Sequence, residues 1–123
     1  MTALETRVDY KAEVLHIENI EDKVRKVFAD APIMVEVARC ESRLKQYNSD
    51  GDVLRGHVNS KDVGVFQINE YYHLESSRQL GHDIYAIDGN IAYAKHLYDR
   101  NGTKDWKASK PCWDPDHSSG DQG

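Results

Sequence analysis

One stretch constrains the fold of this chain more than any other: APIMVEVARCESRL, residues 31–44. Met34, Val37, Ala38, Glu41 and Leu44 recur at spacings of three and four, which a 3.6-residue period gathers into one stripe of a helix. That stripe is otherwise apolar and has to pack against something, so the Glu41 carboxyl is carried toward the interior with it. An unpaired carboxylate there is expensive, and the group tends to keep its proton instead. A carboxylic acid that stays protonated near neutral pH has the property a general acid needs. Periodicity alone also allows a plainer reading, a boundary residue with its head in water. Glu36, on the other side of the same helix, reads that way.

The remaining punctuation predicts a mainly helical chain. Asn19 reads as an N-cap, with Asp22 three residues on, ahead of a short amphipathic helix through Ile20, Val24, Val27 and Phe28. Asp30 is expected to cap the Glu41 helix, with Pro32 in its first turn and its end near Lys45. Residues 48–59 shift to Asn, Ser, Asp and Gly, and NSDGD at 48–52 is a turn signal. Residues 53–58 and 63–68 predict two short strands or extended arms. A helical turn is expected over 74–80, closed by Gly81. Asp88 is expected to cap a helix that buries Ile91, Ala94, Leu97 and Tyr98 and stops at Gly102. In residues 1–18, Val8, Tyr10, Ala12 and Val14 alternate like a strand, but Leu15 and Ile17 break the pattern and leave the segment unassigned. Residues 114–123 are polar and read as a disordered tail. The expectation is one domain over 19–113, mainly α (α+β), with a small extended lobe inserted after the Glu41 helix.

Composition narrows the partners. A formal net charge of −5 and the lack of a basic run argue against nucleic acid. No apolar stretch approaches the length of a membrane span, and no signal peptide is read where Met1 precedes the polar run of residues 2–7. Cys40 and Cys112 fit either a single long-range disulfide or two unrelated thiols. His16, His57, His73, His82, His96 and His117 are scattered with no ligand spacing, so no metal site and no cofactor are expected.

A second constellation is GVFQIN at 64–69. Glycine allows close backbone approach, and strand alternation puts the amides of Gln67 and Asn69 on one face. Such amides suit sugar hydroxyls and N-acetyl groups. Tyr47, Tyr71, Tyr72, Tyr93 and Tyr98 add rings of the kind that stack on pyranose faces, although most tyrosines in a small domain are core or boundary residues.

Taken in order, ARCES at 38–42, GVFQI at 64–68, NIAYAKHLY at 90–98, Trp106 and SKPCW at 109–113 resemble the lysozyme-like superfamily. Within it, the chain looks like the catalytic domain of soluble lytic transglycosylases and the related resuscitation-promoting-factor domain, over about residues 20–113. The resemblance implies a lysozyme-like fold and cleavage of the β-1,4 glycan bond of peptidoglycan by a monomer. It makes Glu41 the catalytic acid, and Ser42, Gln67, Asn90 and Tyr98 residues of the groove, to which the amide reading above adds Asn69. It also implies a Cys40–Cys112 disulfide and hence an extracytoplasmic protein.

The segment between Glu41 and Gly64 is longer and more charged than the resuscitation-promoting pattern, and it contains Asp50, Asp52 and Asp62. Lytic transglycosylases of this kind work with one acid and release 1,6-anhydro ends, and that outcome is the expectation here. A second carboxylate among these three aspartates would turn the reaction into lysozyme-type hydrolysis. A wall-binding module without turnover is the third possibility.

Overall fold

The computed structural model describes residues 18–116, so residues 1–17 and 117–123 lie outside it, with His16, His117 and most of the predicted tail. Helix α1 (Ile20–Val27) starts where expected: the Asn19 side chain accepts the Asp22 backbone N–H at 2.8 Å. Helix α2 (Ile33–Ser42) carries Glu41. Asp30 does not cap it. The backbone makes the entry instead, Ala31 N–H bonding Phe28 O, and Met34 and Val35 reaching Ala31 O and Pro32 O. These short bonds satisfy donors that a side-chain cap would otherwise take.

Helix α2 also ends earlier than Lys45. Arg43 and Leu44 both adopt left-handed backbone, φ 59° and 60°, and the Leu44 N–H reaches back to Ala38 O. That pattern normally recruits glycine, and no glycine stands here to announce it in the sequence. The Ser42 hydroxyl donates to Ala38 O and accepts the Lys45 N–H, pinning the exit.

The extended lobe follows. Asn48 closes the 48–52 turn by accepting from the N–H groups of Asp50 and Asp52. Strands β1 (Asp62–Val63) and β2 (Ile68–Asn69) pair antiparallel, Asp62 opposite Asn69 and Val63 opposite Ile68. Isolated bridges join Tyr47 to Val53 and Arg55 to Val63. The predicted arm 63–68 is thus two residues of strand at most, and 64–67 is the hairpin turn.

Asn69 caps helix α3 (Glu70–Gln79), accepting the Tyr72 N–H at 3.1 Å, so this helix begins four residues before the predicted turn. Helix α4 (Ile87–Asn101) begins after Ala86, which places Asp88 inside the first turn rather than at the cap, and it stops at Gly102 as expected. A 3-10 helix (Lys104–Ser109) and the short α5 (Lys110–Trp113) complete the order. Helix α1 packs on α2 and α4, and α2 packs on the 3-10 helix and α5. Val24, Phe28, Met34, Val37, Ala38, Phe66, Ile91, Ala94, Leu97 and Trp106 form one buried core. The described residues are therefore mainly helical with a two-stranded sheet, and the extended lobe lies between α2 and α3, as the sequence predicted.

Candidate active site

Glu41 sits in the last turn of α2, half-buried, where two cavities meet. One, of about 160 Å³, is bordered by Asp62, Asn69, His73, Asp105 and Trp106 together with Glu41 and Gln67. The other, of about 390 Å³, is bordered by Arg43, Lys45, Arg55 and His57 with the same Glu41 and Gln67. They form one cleft with Glu41 and Gln67 shared by its halves.

Burial holds the Glu41 carboxyl above the ordinary glutamate range. A hydrogen bond from the Ser109 hydroxyl to Oε2, 2.6 Å, pulls the other way, and the negative charge of Asp62 pushes up again. Ser109 is itself fixed: its oxygen accepts the Trp113 indole N–H at 3.0 Å. A disulfide from Cys40 to Cys112, Cα–Cα 6.0 Å, ties α2 to α5 on both flanks of this network.

The hairpin turn brings Gln67 to both cavities, and its conformation depends on two buried amides. Gln46, 1 % exposed, accepts the Val65 N–H through Oε1 and donates to Ile84 O. Asn90, 0 % exposed, accepts the Phe66 N–H and donates to Val63 O and Ile84 O. Gly64 has φ +76°, and a Cβ there would lie 2.4 Å from Asn90 Nδ2 and 2.5 Å from Gln46 Oε1. Only glycine fits against this clasp. The Trp106 indole donates to Phe66 O at 3.0 Å and completes the support.

The predicted site residues separate into two groups. Glu41, Gln67, Asn69 and Asp62 line the cleft. Gln67 gets there through a left-handed backbone, φ 50°, and not through strand alternation, and its amide donates to Gly64 O at 3.0 Å. Asn69 donates to Asp62 Oδ1 at 3.0 Å and orients that carboxylate. Ser42 borders the second cavity, but its hydroxyl is used by the helix exit. Asn90 borders neither cavity: it is fully buried, and its amide is bonded to Phe66, Val63 and Ile84. Tyr98 lies elsewhere, edge-on to Phe28 with ring centroids 5.8 Å apart. Asp50 and Asp52 are exposed in the 48–52 turn and border neither half of the cleft.

Sequence reasoning missed Ser109, Trp113, Gln46, His73 and Asp105. His73 borders the cleft with Nδ1 2.9 Å from the Tyr93 hydroxyl. Burial lowers its proton affinity, partly offset by the charge of Asp105 and reinforced by His96. Tyr71 and Tyr72 project from the start of α3, 77 % and 75 % exposed, with rings edge to face. Among the described residues no three His, Cys, Asp or Glu side chains are grouped to hold a metal ion, and no helix is long and apolar enough to cross a membrane. Comparison with protein-family models, with characterised proteins and with solved structures found no match.

Proposed function

We propose that this protein has a lysozyme-like fold and cleaves the β-1,4 bond between N-acetylmuramic acid and N-acetylglucosamine in peptidoglycan, with Glu41 as the general acid. One observation carries the reading: a half-buried carboxyl with raised proton affinity at the junction of a two-sided cleft. Glu41 gives its proton to the glycosidic oxygen, the C1–O bond breaks, and positive charge spreads over C1 and the ring oxygen. Gln67, which borders both cavities, offers its amide to the sugar, whereas Asn69 spends its amide on Asp62 and on the Tyr72 N–H.

Two completions conserve atoms. In the first, the N-acetyl oxygen stabilises the cation, the Glu41 carboxylate takes the proton of the sugar's own 6-hydroxyl, and that oxygen closes a 1,6-anhydro ring. In the second, a carboxylate stabilises C1 or activates a water, and the product is a reducing end. Asp62 favours the second. Among the three candidate aspartates it alone borders the cleft, its charge acts on Glu41, and Asn69 holds its orientation. The disulfide supports an extracytoplasmic setting.

Clearing of purified sacculi tests the activity. Glu41→Gln should keep the fold and lose at least about a thousandfold in rate, on the scale of general-acid loss; near-normal clearing by this variant rejects the proposal. Mass spectrometry of the released fragments separates the completions, because an anhydro end is lighter than a reducing end by one water. Anhydro ends in wild-type digests, retained by Asp62→Asn, would return the assignment to a lytic transglycosylase.

A further inference from the structure

Another cavity, of about 380 Å³, shares no residue with either half of the cleft. Leu74 and Arg78 of α3 border it on one side and residues 81–85, which fold back beside that helix, on the other. The His82 N–H reaches Ser77 O at 2.8 Å and sets the return. The returning wall is fixed by its neighbours. Asp83 Oδ1 accepts the Tyr85 N–H at 2.9 Å. Gly89 of α4 packs so close to the Asp83 backbone that a Cβ there would lie 2.0 Å from the carbonyl oxygen. Ile84, 0 % exposed, has its carbonyl held by both clasp amides, Gln46 and Asn90. The Tyr85 hydroxyl donates to Glu70 Oε1 at 2.7 Å. The cavity therefore has a set shape before any ligand arrives, which lowers the ordering cost of binding. Its charges are opposite and unmatched. Arg78 and Asp83 both border it, yet among the described residues neither forms an ion pair with the other or with a third group. The Arg78 charge acts on the Tyr85 hydroxyl at this wall. Leu74 and the Ile84 side chain add apolar surface to the same space.

We infer that this cavity binds the zwitterionic end of an amino acid or peptide, its carboxylate toward Arg78, its ammonium toward Asp83 and its aliphatic stem on Leu74 and Ile84. A cation and an anion that line one cavity, too far apart to pair, leave room for a group carrying the complementary charges in between. The volume suits a small ligand. Nothing in this inference needs the glycosidase reading. A group of this kind has two sources: a free amino acid or, where the protein meets peptidoglycan, the diamino-acid end of a stem peptide.

Titration of the full chain, followed by its backbone amide resonances and by calorimetry, tests this with two probes: leucine, and an N-acetylated stem tripeptide that ends in diaminopimelate. At least one should bind saturably, with a Kd of about 1 mM or tighter, and shift the amides of residues 78–85. Binding of leucine shows that a free amino acid suffices, and binding of the tripeptide alone assigns the polymer-borne end. For a probe that binds, acetylating the ammonium or amidating the carboxylate beside it should weaken binding at least about fivefold, the scale of a charged pair. Arg78→Gln and Asp83→Asn should each weaken it as much, while Arg100→Gln, which removes a charge outside the cavity, should leave it unchanged. No saturable binding of either probe, equal affinity for the capped forms, affinity kept in either cavity variant, or an equal loss in Arg100→Gln overturns the inference. None of these measurements needs turnover, so failure of the glycosidase reading shows separately, as wild-type protein that releases nothing from sacculi.

Discussion

Glu41 responds to burial, to a hydroxyl and to a second carboxylate, and these act with opposite signs. Because its proton affinity is raised on folding, the folded chain holds the proton over a pH window in which the unfolded chain has lost it. Stability from this group is therefore complete below the unfolded value and declines as pH rises through the folded one. Glu41→Gln should accordingly be more stable than wild type at pH 7, with the difference shrinking toward pH 4; urea melts at the two pH values measure this. On the proposed mechanism the same proton sets the alkaline limb of kcat/KM. Ser109→Ala removes the bond that favours the ionised form and should move that limb to higher pH. A limb that stays put or moves down would show that Ser109 does not tune the acid. The amphipathic stripe made the partial burial of Glu41 legible from sequence alone. Ser109 was not, since its meaning lies in a contact across 68 residues that no local pattern reports.

At the level of elements, the hairpin turn departs furthest from the predicted pattern. Alternation over residues 63–68 looks like a strand, yet buried side-chain amides take the bonds that a ladder partner would have made. Asn90 was placed in the groove by the family resemblance; its burial and three backbone partners are tertiary facts, absent from the sequence around it. Asn19 could be read because its cap is local, whereas Asp30 and Asp88 looked equally suitable and neither caps a helix. Gly64→Ala should cost about 3 kcal/mol or more, combining a disfavoured φ with displacement of the amide clasp. Asn90→Ala should cost a similar amount, about 3 kcal/mol, by leaving buried backbone groups unpaired. Chemical denaturation measures both. A loss below about 1 kcal/mol in each would mean that the clasp is not what shapes the turn.

Across the whole molecule, the mainly helical class, the lobe after α2 and the general path of the chain followed from periodicity and turn residues. Composition left the two cysteines open, the family resemblance implied a Cys40–Cys112 bridge, and the structure forms it. Closing a loop of 72 residues is worth about 4 kcal/mol in the chain-entropy account. Reduction, or replacement of both cysteines by serine, should lower stability by that order, read as a fall in the urea midpoint. Activity should fall in parallel, because Cys40 adjoins the acid and Cys112 adjoins the tryptophan that steadies Ser109. A drop in stability with catalysis intact would separate the bridge from the site. The same proximity makes the surroundings of Glu41 depend on the oxidation state of the chain. With the thiols reduced, the acid and its hydroxyl partner ride on segments that no cross-link joins, and on the proposed function the reduced chain should clear sacculi more slowly than the oxidised one.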